Sequence, residues 1–353
     1  MSLSVSRSAR IGARTGARIG IIGCGISGVA AAETLIRHGH SVHILDMGEN
    51  PGGRLAVRDI SGTGTAADGE VVDLGAAYFT ASGPDFAARV DDWTERGLAK
   101  AWFDTCTVID DAGSRRERGP MRFAATRGTR SLVVDLLEVL GATGRLELAL
   151  ATRVQQVRGA DESAGRAATI DDAEFDAVIL AMPDAQALRI LDPASTAIIS
   201  AMINGEPWQP VLSHIMVFEQ RHWADNDFWF INNSPVVASV ADNSRRRGSD
   251  SAVLVAHSTS QLARAHFDAP EQAANEMSAA VADALGFTAR PVHTLTRRWG
   301  LAHPVQPREL ACGWDEAARV AVCGDGWHGK PRIEAAWMSG KAAALEVLAA
   351  VGS

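Results

Sequence analysis

Apolar positions along the chain fall into short runs separated by small and polar residues, and these runs predict the elements. Arg18-Ile19-Gly20-Ile21-Ile22 reads as a short buried strand, Gly23 to Gly28 (GCGISG) as a turn, and Val29 to His38 as an alanine-rich helix that Gly39 stops. Ser41 to Asp46 is a second short strand ending in an acid. Val71 to Phe79 reads as a strand running into a small-residue turn, Thr152 to Val157 as a strand, and Asp176 to Pro183 (DAVILAMP) as a fully buried one. Val211–Glu219, Phe228–Asn232, Val236–Ala241 and Ala252–His257 are strand-like, and Pro270 to Leu285 is an amphipathic helix stopped by Gly286. Val320 to Cys323 is a buried strand followed by a small-residue helix. Met1 to Ala17 is rich in Ser, Arg and Gly without apolar periodicity and predicts a mobile tail. Ser244 to Ser251 (SRRRGSDS) reads as a solvated loop whose triple arginine is surface charge.

Composition narrows the class. With 353 residues, 46% of them hydrophobic, the chain has material for a large α/β domain and a second lobe. A net charge of −8 argues against a nucleic-acid or anionic-membrane partner. Four scattered cysteines (Cys24, Cys106, Cys312, Cys323), with no C-x-x-C pair, predict a reduced, cytoplasmic protein without a metal site. Gly, Ser and charged residues interrupt every apolar run before membrane-spanning length.

The first motif carries chemistry. Gly23, Gly25 and Gly28 between a strand and a helix, with Asp46 about twenty residues on, form the pattern that cradles a dinucleotide pyrophosphate: the glycines, with Ile26 and Ser27 among them, allow the tight turn and backbone approach, and the acid accepts from ribose hydroxyls. A secretory signal is the competing reading of the arginines and apolar run, but Glu33, Arg37 and the second strand favour the cradle.

After Met47 come Gly52-Gly53-Arg54, and here the chain resembles the flavin amine oxidase superfamily. The resemblance implies an α/β, FAD-binding Rossmann-like fold of the two-lobed amine oxidase (PHBH) type, with an inserted α+β substrate domain on a mostly antiparallel sheet. It implies that Arg54 reaches the pyrophosphate, where a guanidinium fork binds phosphate bidentately. Gly75-Ala76-Ala77-Tyr78 is similar to the segment beside the flavin ring, and the strand containing Val154 to the one whose backbone meets the adenine. Gly324-Asp325 would bind a ribityl hydroxyl, and Arg332-Ile333-Glu334-Ala335 would open a helix aimed at the flavin. The implied cofactor domain is 18–83, 124–183 and 304–353, with 84–123 and 184–303 as substrate domain.

Within the superfamily the chain resembles the bacterial renalases, over Asp73–Thr80, Trp229–Ser239, Val255–Thr259, Arg298-Trp299 and Cys323–Trp327. That resemblance implies noncovalent FAD, hydride transfer from 2- or 6-dihydro isomers of NAD(P)H, and peroxide formation from oxygen, in a monomer or weak dimer. An amine or another small C–N substrate is the alternative. Of the three lysines (Lys100, Lys330, Lys341), none matches the lysine common in true amine oxidases. Trp299 and Trp327 are candidates to wall the substrate pocket, and His257 to hydrogen-bond a carboxamide. Asp46 replaces the superfamily's longer Glu.

Overall fold

The protein is described by a computed structural model covering residues 16–203, 205 and 207–352. Of the predicted tail, 1–15 lie outside the described residues. In chain order, β1 (Arg18–Ile22), α1 (Ile26–Arg37) and β2 (Ser41–Leu45) are followed by a ribbon of β3 (Val57–Asp59) and β4 (Val71–Asp73). Then come α2 (Pro84–Glu95), the long hairpin β5 (Ala99–Asp110) and β6 (Gly113–Ala125), α3 (Arg130–Gly141) and β7 (Leu146–Ala149). A small sheet of β8 (Val157–Arg158), β9 (Ala168–Ile170) and β10 (Ala173–Phe175) leads to β11 (Ala177–Ala181). After α4 (Asp184–Ala187) and α5 (Ala197–Ile203) come β12 (Trp208–Val217), β13 (Phe228–Ile231), β14 (Val237–Asp242), α6 (Asn243–Arg247), β15 (Val253–Ser258), α7 (Ser260–Ala265), α8 (Ala274–Leu285) and β16 (His293–Pro304). The chain returns through β17 (Gly313–Asp315), β18 (Val320–Cys323) and α9 (Ile333–Val351).

The main sheet has the order β17-β18-β11-β1-β2-β7, parallel except for the β17 edge. Its central strands alternate between two cores. Ile19, Ile21, Ala177 and Ile179 pack against α1, α3 and α9, whereas Ile22, Val178 and Leu180 face Val157, Ile170 and the α5 residues Ile199 and Ile203. Burial on both faces is why these strands read as unbroken apolar runs, each buried Ile or Leu contributing roughly 1.5–3 kcal/mol. The strand order reverses beside β1, so the turn after β1 sits at the switch point where such folds bind ligands.

The second large sheet runs β16-β12-β15-β14-β13-β5-β6. It is mixed: β13 pairs with β5 in parallel, while the other neighbours are antiparallel. The parallel seam joins strands from separate stretches of chain, where no hairpin imposes direction. Residues of α2 (Phe86, Val90, Trp93) pack into the core under α1 and α9, and those of α5 into the opposite core, so the cofactor-side body holds more chain than the predicted boundaries give it. Residues 152–156 pair with no strand. Pro270–Ala273 is a single 3-10 turn before α8, which Gly286 closes at φ 74°. Among the described residues no helix is long and apolar enough to cross a membrane, and no group of three metal-ligating side chains occurs.

Candidate functional site

Two of the three turn glycines are required by packing and the third faces open space. A Cβ on Gly23, whose φ is 110°, would lie 2.4 Å from the Ala181 carbonyl oxygen, and one on Gly28 would lie 2.0 Å from that of Gly23. A Cβ on Gly25 would meet nothing within 4 Å. Gly25 is the N-cap of α1 and no side chain caps the helix, so the Ile26–Ser27 end offers backbone N–H groups to an anion. This cradle fits a pyrophosphate.

Asp46 ties β2 to that turn. Its carboxylate accepts from the Cys24 N–H at 2.6 Å and the Gly48 N–H at 2.7 Å. Thr152 N–H donates to the Asp46 carbonyl at 2.8 Å, which brings the segment of buried Val154 alongside Asp46 and exposed Met47. Asp46, short for its position, is thus already engaged with backbone. Cys24 is no nucleophile, since burial and the Asp46 charge push its thiol up to about 12.

Arg54 and Asp325 lie 271 residues apart in sequence yet form a fork-to-fork pair, at 2.8 and 2.5 Å. Arg54 also donates to the Ala302 carbonyl at 3.0 Å and stands 5.3 Å from the Trp208 ring centroid. The motifs predicted to hold the adjacent pyrophosphate and ribityl parts of one cofactor therefore meet at one point. Gly75 belongs there too, because a Cβ on it would lie 1.8 Å from the Arg54 carbonyl oxygen, and Ala76 N–H donates to that oxygen at 3.2 Å. Ser339 of α9 accepts from the Gly324 N–H at 3.2 Å, and Gly340 lies hard against the Ser27 carbonyl. The second helix is thereby packed against the first.

At the start of α9, Arg332 is exposed while Ile333, Glu334 and Ala335 are buried. The Glu334 carboxylate is committed elsewhere: it accepts from Gly83 N–H at 2.6 Å and from the backbone and hydroxyl of Ser82, at the N-terminus of α2. Burial raises its pKa, but these donors outweigh burial and hold it below the usual carboxylate value. Arg332 donates to the Ser82 hydroxyl at 2.8 Å. The Glu334 carboxylate is thus engaged with α2, and the backbone groups of this turn face the cradle side with the exposed Arg332 beside them.

The seven-stranded sheet supplies the opposite wall. Ile215, Val217, Val253, Val255, Leu295 and Trp299 pack on Val72 and Leu74, so this face looks onto the segment preceding Gly75. His257 and Ser213 are register partners, and Val211 pairs with Trp299, which puts all four side chains on this face. Trp299 Nε1 donates to the Leu74 carbonyl at 3.0 Å, and the His257 ring faces the Leu74 and Gly75 backbone. Burial, reinforced by His303, pushes His257 down to about 4, so it is neutral at physiological pH. His303 is lowered as well, chiefly by burial, with Asp325 opposing. Ser213 Oγ is buried with no hydrogen-bond partner.

Two expectations are corrected. Trp327 does not join His257 and Trp299; it is 1% exposed among Ile199, Ile203, Val320 and Val322, with Arg308 over its ring at 4.6 Å. The turn after β18 sends it into the core behind the sheet, so it walls no pocket with them. The triple arginine is not a solvated loop either. It forms α6, capped by Asp242 accepting from the Arg245 N–H at 2.9 Å, and Arg246 is 1% exposed.

Sequence reasoning missed what the buried arginines serve. Asp73, also 1% exposed, accepts from Arg247 at 2.5 Å and from the Thr129 N–H and hydroxyl at 2.6 and 2.8 Å, and Arg246 lies 3.2 Å away. Arg246 donates to the Ala77 carbonyl at 2.8 Å. This hub fixes the strand leading into Gly75–Tyr78. An acid preceding a small-residue turn, with an arginine run elsewhere, was its sequence signal.

A family model for flavin-containing amine oxidoreductases matches residues 95–348, and one for NAD(P)-binding Rossmann-like domains matches 21–93. Among solved structures, a putrescine oxidase with a redesigned cofactor site is similar at TM-score 0.72 and 18% identity, over 95% of this chain and 99% of that one. Cyclohexylamine oxidase from Brevibacterium oxydans IH-35A is similar at TM-score 0.70 and 14% identity, over 94% of this chain and 98% of that one. Reduced UDP-galactopyranose mutase is similar at TM-score 0.72 and 12% identity, over 94% of each chain. At such identities the neighbours show the fold alone. The family match spans most of the chain: the protein belongs to the flavin-containing amine oxidoreductase family and is an FAD-dependent oxidoreductase.

Proposed function

We propose that the protein is a renalase-type oxidase, taking hydride from 2- or 6-dihydro isomers of NAD(P)H and passing the electrons to oxygen to give NAD(P)⁺ and hydrogen peroxide. The observation that carries this reading is the chemistry of the wall facing Leu74–Tyr78. It holds neutral His257 and His303, Trp299 and Ser213, while Asp325, the carboxylate that acts on His303, is engaged by Arg54. No lysine stands there: Lys341 pairs with Asp85 at 2.5 Å beside α2, Lys330 is exposed, and Lys100 lies on β5. A wall that offers no lysine and no free carboxylate, and whose histidines burial makes weak bases, suits a donor that needs no proton acceptor, since a dihydropyridine aromatises on losing hydride alone.

Noncovalent FAD, when bound, supplies the two-electron acceptor. Gly25, Ile26 and Ser27 offer N–H groups to its pyrophosphate, with Arg54 as the movable cation and Asp46 beside the ribose. Gly75, Ala76, Ala77 and Tyr78 lie along the ring, and Gly324, Asp325 and the first turn of α9 complete the cradle. Trp299 walls the substrate site and excludes water. Neutral His257, beside the Leu74–Gly75 backbone, orients a carboxamide without charging it.

The alternative, a small amine, is favoured by the family match itself. Oxygen uptake with coupled peroxide detection separates the two. An aged NADH preparation rich in 2- and 6-dihydro isomers is expected to support uptake equal to peroxide formed, while a panel of primary and secondary amines does not; the reverse pattern would replace this reading with the amine one.

A further inference from the structure

Arg122 stands apart from the other arginines of β6. Arg115 is held by Glu117 at 2.7 Å, Arg116 donates to Asn226 at 2.7 Å, and Arg118 meets Asp104 at 2.8 Å. Among the described residues, Arg122 has no carboxylate within ion-pair distance. One terminal N–H donates to the Pro120 carbonyl at 3.2 Å, and its Nε, shielded from solvent, has no partner. Aromatic rings surround the guanidinium instead: Phe103 at 5.0 Å, Tyr78 at 5.3 Å and Phe230 at 5.7 Å. An antiparallel bridge between Phe79 and Phe123 fastens this cluster to the Gly75–Tyr78 segment.

A half-buried guanidinium, with ring faces around it and an in-plane N–H edge unused, is a charge the fold does not consume. Such an edge matches a phosphoryl or carboxylate oxyanion. We propose that Arg122, with Tyr78 and Phe230, forms the subsite that takes the oxyanion of the substrate. On the reading under Proposed function, on which this assignment of the anion rests, it is the pyrophosphate of the dihydronicotinamide dinucleotide. Arg122 is then a specificity residue: it selects nucleotides over neutral dihydropyridines and takes no part in hydride transfer.

The test is titration of the FAD holoenzyme with NAD⁺, nicotinamide riboside and inorganic pyrophosphate, read by the flavin difference spectrum and by melting temperature. Arg122→Ala is expected to weaken NAD⁺ binding about 10- to 100-fold, to leave riboside binding unchanged and to abolish stabilisation by pyrophosphate, with Arg122→Lys recovering part of the loss. Arg122→Met, which keeps the packing volume, serves if the alanine variant loses FAD. NAD⁺ binding that is unchanged, or that falls in step with riboside binding, overturns the subsite. If no nicotinamide compound binds but pyrophosphate protects the wild type and not the variants, the anion site stands and the substrate reading falls. Pyrophosphate protecting all forms equally refutes the anion site itself.

Discussion

Asp73→Asn tests the buried hub behind the Gly75–Tyr78 segment. The carboxylate lies 1% exposed between Arg247 at 2.5 Å, Arg246 at 3.2 Å and two Thr129 donors. Asparagine keeps one acceptor oxygen for Thr129 but removes the charge and turns an amide donor toward the arginines. Arg246 is itself 1% exposed with an unpartnered Nε, so the variant leaves a guanidinium buried without its counter-ion. Breaking a buried pair from one side costs about 3–5 kcal/mol, because the surviving charge keeps its desolvation penalty. For a chain of this size that corresponds to a melting temperature lower by roughly 4–7 °C. Differential scanning fluorimetry of the holoenzyme measures it, and flavin release on the same ramp shows whether the Gly75 segment loosens with the hub. Since Arg246 holds the Ala77 carbonyl, flavin release is expected to advance with unfolding or ahead of it. A melting temperature within about 1 °C of the wild type would refute the claim that Asp73 is the required counter-ion.

Further outcomes follow from the same geometry. Gly28→Ala places a methyl 2.0 Å from the Gly23 carbonyl oxygen and is expected to give protein purified without yellow colour, whereas Gly25→Ala, with nothing within 4 Å in the free protein, folds normally and loses FAD affinity; wild-type FAD affinity in both variants would contradict the cradle. Glu334→Gln removes the charge that accepts at the α2 N-terminus and is expected to cost about 1–3 kcal/mol at pH 7, measured by urea titration, with the difference from wild type shrinking as acid protonates the carboxylate, whose donors hold it below the usual carboxylate value. His214 is fully buried between Thr296 and Ser278 hydroxyls, and burial pushes it down to about 4 from an unfolded value of 6.5. Because its folded pKa is the lower, its contribution is complete above pH 6.5 and fades as pH falls toward 4, by roughly 3 kcal/mol. His214→Gln should flatten that part of the stability profile, and an unaltered acid limb would show that another group carries it.

Much of the cofactor half was legible because its physics is local. The β1 turn, α1 and β2 follow from apolar runs, three glycines and a terminal acid within thirty residues, and the buried alternation of Ile19, Ile21, Val178 and Leu180 is written as continuous apolar strands. What escaped is where distant segments meet. SRRRG reads as solvated charge because arginine runs usually are; only Asp73, some 170 residues upstream, makes Arg246 and Arg247 interior. Trp327 sits two residues after Asp325, yet the turn between them places one beside Arg54 and the other in the core behind the sheet. Glu334 reads as part of a cofactor-facing turn, and its carboxylate instead serves α2. Arg122 carried no motif, and its unpaired state emerges only beside its paired neighbours on β6.

The most direct test of the account is anaerobic mixing of the oxidised, yellow holoenzyme with 2- and 6-dihydro isomers of NADH, followed at the visible flavin band. Bleaching within seconds by the isomers and not by pure 4-dihydro NADH is the predicted result, with colour returning and peroxide formed when air is admitted. A protein that stays yellow with the isomers but bleaches with an amine would keep the FAD fold and contradict the proposed reaction.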